Sequence, residues 1–325
     1  MQGTVVGILR GGPSREHEVS LRTGHAILQS LPRERFTVRD IFIDREGTWH
    51  DRGMRTQPSA VLPSIDVAII AMHGEFGEDG RIQRILEQYG VPYAGSDSFG
   101  SFHATHKVLA KERARSAGLR TPRYEFIEHH GDAQPKVQEI IRTYPQPVIV
   151  KPARWGSSIG VTSPAGFHPV HQAVTGLLAE DSGGVIVEEF LRGTEASVGV
   201  VEHFRGEVLY ALPVVELAPE SGVPFSTYEA KYGGKVQKIV PGRFNKLVTA
   251  ELQDAAKKMH RELGLRHYSR SDFIISPKGI YYLETDALPG LTAHSLMPLA
   301  LASVGVRFGE FVEHLISLAL GRAGR

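Results

Sequence analysis

The sequence predicts an open parallel α/β sheet at the N-terminal end, followed by an α+β region, and three observations carry this. Two apolar runs, Thr4–Leu9 (TVVGIL) and Asp66–Met72 (DVAIIAM), each lead into a glycine-rich loop and then a helical pattern, as buried parallel strands do. From Arg123 onward, strand patterns outnumber helical ones. Near the end, Tyr268–Ile275 and Gly279–Ala287 alternate in polarity and meet around Pro277-Lys278-Gly279, which reads as an antiparallel hairpin.

Taken in order, Thr4–Leu9 is a strand ending at Gly11-Gly12, and Ser14–Ser30 a helix. Phe36–Asp44 alternates as a strand, and Asp66–Met72 is a second buried strand followed by the loop His73–Gly80. Arg81–Tyr89 is helical and Val91–Ala94 a short strand. In an open parallel sheet, ligands bind beyond the carboxyl ends of the strands, where Gly11-Gly12 and His73–Gly80 fall. Ser101–Ala117 reads as one helix ending at Gly118. Arg123–Glu128, Val148–Pro152, Val185–Phe190, Ala196–Glu202 and Val208–Leu217 read as strands, with helices near Asp132–Thr143 and Phe167–Leu178. Glu220–Gly242 is polar, glycine-rich and without clear periodicity, a length of loop that is usually a functional lid or a disordered segment. Helices over Ala250–Leu263 and Arg307–Leu320 flank the final hairpin. The organisation expected is residues 1–100, 101–190 and 191–325.

At 325 residues, with 41% hydrophobic and 22% charged residues, the chain is an ordinary globular one and not a disordered segment. A net charge of +1 offers no electrostatic footprint for nucleic acid or an anionic membrane. The absence of cysteine excludes disulfides, thiol nucleophiles and Cys-ligated metals. No signal peptide and no long apolar stretch are visible, so a cytoplasmic location is expected. The 35 glycines exceed the roughly 7% of ordinary usage, and they cluster.

The hairpin carries the strongest local signal. With Lys278 at its centre, Asp272 faces Glu284 and Arg270 faces Asp286. All four then project from one face, while Phe273 with Leu283, and Ile275 with Tyr281, take the core face. Three carboxylates beside one arginine make an oxygen-rich site suited to Mg²⁺, although the pattern equally suits a solvated polar face. In Lys151–Gly160 (KPARWGSSIG) an apolar strand delivers a lysine and a Gly/Ser loop follows. Such a loop can cradle phosphate oxygens, but it is no Walker motif, since the lysine precedes it. Val185–Phe190 followed by Glu195 is a strand ending in acidic residues. Glu16-His17-Glu18 opens a helix, where acidic residues commonly pair with the helix dipole. His103 and His106 lie three apart without the pattern of a zinc enzyme, and neither His-Glu-x-x-His nor Gly-x-Ser-x-Gly occurs.

The order of these signals is more telling than any one of them. The segments GGPSREHEVSL (Gly11–Leu21), HGEFGEDG (His73–Gly80), KPARWGSSIG (Lys151–Gly160), YEAKY (Tyr228–Tyr232) and ETDALPGLTAHSL (Glu284–Leu296) occur in family order up to about residue 300. Through them the chain closely resembles the D-alanine–D-alanine ligases of the ATP-grasp superfamily. The resemblance implies an ATP-grasp fold with a Rossmann-like N-terminal domain, and ATP-dependent joining of two D-alanines through an acyl phosphate for peptidoglycan precursors. It further implies that Lys107 and Lys151 contact ATP phosphates, with Ser157 and Ser158 in a closing flap. Glu188 and Glu195 would read adenine and ribose, and Lys231 would bring the lid onto the γ-phosphate. Asp272, Glu284 and Asp286 would hold two Mg²⁺ (or Mn²⁺) ions, while Arg270 and the backbone N–H of Gly290 would stabilise the transferring oxyanion. Glu16 would bind the ammonium of the first D-alanine, linked to Ser157 and Tyr232, with His73 near its carboxylate. Ser295 and Leu296 would bind the carboxylate of the second. A homodimer is the family expectation, with no nucleic-acid or membrane partner.

Four positions depart from the family pattern. Asp286 stands where Asn is usual, adding a negative charge that Arg270 opposite it can offset. His106 precedes Lys107 in place of Asp, Arg84 replaces a Gly, and Pro241-Gly-Arg-Phe departs from Pro-Ala. Two other readings stay open: a related carboxylate–amine ligase making D-alanyl-D-lactate, D-alanyl-D-serine or another dipeptide, and a catalytically impaired nucleotide-binding homologue.

Overall fold

Every residue of Val67–Ala71 is apolar and buried, which suits a strand covered on both faces. In the computed structural model, which describes residues 3–180, 182–219 and 236–323, it is β5 of a six-stranded sheet. The others are β1 (Thr4–Gly11), β2 (Phe36–Ile43), β3 (Trp49–Asp51), β4 (Met54–Thr56) and β6 (Tyr93–Ala94), in the order β4-β3-β2-β1-β5-β6. The pairs among β2, β1, β5 and β6 are parallel, as the sequence predicts. The short β3–β4 hairpin adds an antiparallel edge that periodicity over three residues could not announce. The first loops at the carboxyl ends of β1 and β5 begin at Gly12 and Met72.

A three-stranded antiparallel sheet follows, ordered β7 (Tyr124–Ile127), β9 (Val185–Glu189), β8 (Val148–Pro152). Helices His130–Thr143 and Phe167–Ala179 build an apolar core against it through Val137, Ile140, Val170 and Val174. The last sheet is antiparallel throughout: β13 (Val236–Ile239), β12 (Val215–Pro219), β10 (Thr194–Phe204), β14 (Tyr268–Ser276), β15 (Gly279–Asp286), with β11 (Glu207–Ala211) also on β10. The helix Lys246–Glu262 covers one of its faces, burying Leu252, Ala256 and Met259 with Phe273 and Tyr282.

Several expectations are corrected. The single helix Ser101–Ala117 is two, Ser98–Thr105 and Lys107–Ser116, broken at His106 where ψ is 94°. Asp97 caps the first, its side chain accepting from Gly100 N–H at 2.8 Å. The break frees the Lys107 N–H to bond Ala153 O at 3.0 Å instead of a helical carbonyl. The strand Val208–Leu217 is also two, because β11 pairs with Val200–Phe204 and β12 with Glu195–Ser197 along the same β10. Val236–Ile239, placed in the unpatterned loop, pairs with β12. The helix Leu296–Ser303 had no marked apolar periodicity to reveal it, since six of its eight residues are Leu, Met or Ala with a Pro among them.

The hairpin has the expected register at its open end, Arg270 opposite Asp286 and Asp272 opposite Glu284. Beyond a bulge after Asp272 the register shifts, so Phe273 faces Tyr282 and Ile274 faces Tyr281. Tyr282, not Leu283, therefore shares the core face with Phe273, their rings 6.0 Å apart.

Candidate active site

The carboxyl ends of β1 and β5 are stitched into one platform. Gly11 and Gly12 have φ of +91° and +96°, and a Cβ on Gly11 would lie 2.2 Å from Ile43 O, so glycine alone fits this turn. Ser14 Oγ then donates to His73 O at 2.6 Å, and His73 N–H donates to Ser20 Oγ at 2.8 Å. This brings Glu16, His73 and Glu78 together in a buried acidic pocket. His73 Nδ1 lies 3.2 Å from Glu78 Oε1, and its Nε2 lies 2.8 Å from Thr23 Oγ1. Glu16 occupies the cap position of the helix His17–Ser30 but makes no side-chain capping bond. Its carboxylate instead accepts from Ser157 Oγ, so the helix-dipole role is set aside. Burial, and then the neighbouring Glu78, push the Glu16 carboxyl up to about 7. Glu78 is raised well above the usual carboxylate range by burial and by Asp286. Burial holds the His73 imidazole below its usual value.

The flap bearing Ser157 follows β8. Ser157 and Ser158 both have left-handed φ, +51° and +58°, which costs on the order of 1–2 kcal/mol each in a non-glycine residue. Gly156 approaches so closely that a Cβ would sit 2.8 Å from Glu16 Oε1.

Across the cavity stands the hairpin. Arg270 donates through Nε and Nη2 to the two oxygens of Asp272 at 3.0 and 2.9 Å, and its Nη1 lies 3.3 Å from Asp286 Oδ2. Asp272 Oδ1 also accepts from Ser197 Oγ at 2.6 Å. The extra charge of Asp286 is thus met by Arg270, while its Oδ1 accepts from Leu288 N–H at 2.9 Å. Glu284 Oε2 lies 3.4 Å from Lys107 Nζ. Among the described residues, no three Asp, Glu or His side chains gather closely enough to cage a metal by themselves. The all-oxygen donors Glu284 and Asp286, facing a cavity beside cations, nonetheless suit Mg²⁺, which takes one or two carboxylates and completes its shell with water and phosphate oxygens. Asp272 can join only by sharing an oxygen already held by Arg270.

A third group lies on β8, β9 and the helix Lys107–Ser116. Glu188 is buried between Lys111 Nζ at 2.7 Å and Lys151 Nζ at 3.0 Å. Burial pushes Glu188 up, but the two lysines outweigh it and hold it below the usual range. Lys111 is itself lowered to about 8, by burial first. Lys107 Nζ donates to Trp155 O at 2.6 Å.

Two adjoining cavities join these groups. The larger, about 540 Å³, is lined by Glu16, His73, Lys107, Ser157, Ser158, Arg270, Asp272, Glu284, Asp286, Gly290, Ser295 and Leu296. The smaller, about 110 Å³, is lined by Lys107, Lys151, Ser158, Glu188, Glu195 and Glu284. Leu283 and Ile274 line it too, so the bulge that gives Tyr282 to the core gives Leu283 to this slot. Ser295 Oγ takes the Thr292 N–H at 3.2 Å and lies 2.8 Å from Thr292 Oγ1, and a Cβ on Gly290 would be 3.1 Å from it. Lys231 and Tyr232 lie outside the described residues. The sequence reading missed Glu78, although it lies within the quoted HGEFGEDG. It also missed Lys111, one helical turn after Lys107, and Arg154 and Lys238, which line the larger cavity.

The family model for the D-ala D-ala ligase C-terminus matches residues 114–317, and that for the N-terminus matches 5–61 and 50–96. The chain belongs to the D-alanine–D-alanine ligase family. It is 36% identical over 316 residues to a D-alanine–D-alanine ligase of Syntrophobacter fumaroxidans, covering 97% of each chain. Among solved structures it is similar to D-alanyl-alanine synthetase A of Vibrio cholerae, with TM-score 0.85, 26% identity and 99% of each chain covered. It is also similar to the VanG D-Ala:D-Ser ligase of Enterococcus faecalis, with TM-score 0.84 and 25% identity, over 98% of this chain and 100% of that one. The fold is accordingly the ATP-grasp fold, and the larger cavity is lined by residues of Gly11–Leu21, His73–Gly80, Lys151–Gly160 and Glu284–Leu296.

Proposed function

We propose that this chain joins two D-alanines into D-alanyl-D-alanine with cleavage of ATP to ADP and phosphate, through an acyl phosphate. One observation carries the reading: a buried carboxylate pole at Glu16 and a lysine pole at Lys107 and Lys151 open onto cavities that share Lys107, Ser158 and Glu284. The acidic pole suits an ammonium group and the lysine pole suits phosphates. The reacting atoms then meet between them, beside Arg270.

A carboxylate is a poor acylating agent. Attack of its oxygen on the γ-phosphorus breaks the bond to the β,γ-bridging oxygen, releases ADP and leaves an acyl phosphate. The free amine of the second amino acid then attacks the carbonyl carbon, the C–O bond breaks and phosphate departs. The protein's part is positioning and charge compensation. Glu16 and Ser157 hold the first ammonium, with His73 by its carboxylate. Lys107 and Lys151 hold phosphates, with Ser158 in the flap and Lys231 on the lid. Glu188 and Glu195 serve the nucleoside side, although Glu188 must do so while paired to two lysines. Arg270 and the Gly290 N–H face the developing oxyanion, and Ser295 and Leu296 receive the second substrate. Divalent metal, as two Mg²⁺ or Mn²⁺ ions held by Asp272, Glu284 and Asp286, would supply neutralisation of phosphoryl charge. Tyr232 completes the Glu16–Ser157 group in this reading. A homodimer and a cytoplasmic location rest on family membership alone. Among the described residues, no helix is long and apolar enough to cross a membrane.

The test is isotopic. D-Alanine labelled with ¹⁸O in its carboxylate must deliver one label to the released phosphate per dipeptide formed. Unlabelled phosphate would overturn the acyl-phosphate route.

A further inference from the structure

The ligase reading uses Glu16, Ser157 and Lys107 but leaves their neighbours Arg15 and Trp155 without a role. The Arg15 guanidinium lies over the Trp155 ring, 4.1 Å from its centroid. Trp155 is 7% exposed and belongs to the apolar core of the three-stranded sheet. We propose that Arg15 is a positioning residue, clamping the Gly156–Ser158 flap shut by stacking on Trp155.

The geometry supports this in three ways. The clamp spans the two bodies that must meet, since Arg15 precedes Glu16 on the β1 side and Trp155 lies two residues before Ser157. It acts on a flap that resists its own conformation: Ser157 and Ser158 are both left-handed, and Gly156 is pressed to within a methyl group of Glu16. The same tryptophan offers its carbonyl to Lys107 Nζ at 2.6 Å. A displaced Trp155 therefore loosens the Ser157–Glu16 bond and the seat of Lys107 together. Arg15 also pairs with Glu180 at 2.9 Å, but both side chains are about half exposed, 53% and 52%, where an ion pair contributes little. The stack, partly desolvated on a buried indole, is the stronger tie.

This rests on the flap closing over the amino-acid site, and the readouts keep the two apart. The chain has two tryptophans, and the other, Trp49, is buried in β3. Changes in emission therefore report Trp155. Arg15→Ala should shift the emission to the red and lower kcat/KM for D-alanine about 3- to 20-fold. The loss should lie mainly in KM, because saturating substrate holds the flap closed, and Tm should stay within about a degree. Arg15→Lys should restore part of the loss. Trp155→Phe keeps a ring face and should keep a KM for D-alanine close to wild type, whereas Trp155→Leu should raise KM as Arg15→Ala does; both also shrink a core side chain, so both should lower Tm, which Arg15→Ala should not. Glu180→Gln should change KM less than about twofold. Arg15→Ala with unaltered emission and KM would overturn the clamp, as would Glu180→Gln reproducing its defect. Either result in an enzyme still making dipeptide would leave the ligase reading standing.

Discussion

Glu16 gives the sharpest consequence of the site's electrostatics. Its carboxyl titrates near 7 because it is buried beside Glu78, yet it must be ionised to pair with an ammonium. Between pH 8 and pH 6 its ionised fraction falls about tenfold, where an ordinary surface glutamate would stay ionised throughout. The attacking amine of the second D-alanine also loses protons as pH rises, but that dependence is common to wild type and Glu16→Gln. The ratio of their kcat/KM values for D-alanine, from an ADP-release assay at fixed MgATP, therefore isolates Glu16. At pH 8 the ratio should be about 10 to 150, the loss of one charge-assisted contact of roughly 1.5–3 kcal/mol. By pH 6 it should fall about tenfold, with its inflection near 7. A ratio that is flat from pH 6 to 8 would refute the assignment of Glu16 to the substrate ammonium.

The same burial predicts a stability effect of opposite sign. A carboxyl raised from 4.5 to about 7 stabilises the fold fully only below its unfolded value, and that contribution is lost as pH rises through 7. Glu16→Gln should therefore raise Tm at pH 8, by up to about 3 kcal/mol of stability, with the gain shrinking toward pH 5; a lower Tm at pH 8 would count against it. Lys151→Ala should weaken MgATP binding about tenfold by calorimetry and also lower Tm, because the buried Glu188 keeps only Lys111; unchanged affinity would remove Lys151 from the phosphate site. Glu284→Gln should abolish most activity and be partly rescued by raised Mg²⁺, and near-normal turnover at low Mg²⁺ would place the metal elsewhere. Asp286→Asn should keep or raise activity, and a collapse would mean that Arg270 needs both aspartates.

The parallel sheet and the functional end of the hairpin were legible because they obey simple periods. Buried runs such as Val67–Ala71 announce themselves, and Arg270, Asp272, Glu284 and Asp286 share a face whenever the register is even. The bulge after Asp272 was not legible, because Leu283 and Tyr282 are both apolar and either suits a core. The break at His106 was hidden too: Ser101–Ala117 contains no proline, and the bend is fixed by the long-range bond from Lys107 N–H to Ala153 O. Of the site, the motif residues were found by their resemblance, whereas Lys111 and Glu78 act through burial and contacts that a linear pattern does not encode.

The measurement that bears most directly on the central claim is product formation from D-alanine and MgATP, with D-serine and D-lactate present as competitors. The account predicts D-alanyl-D-alanine as the main product, with one phosphate released per dipeptide. Depsipeptide or a D-serine product in excess would contradict the substrate assignment, and absence of D-alanine-dependent phosphate release would contradict the enzyme itself.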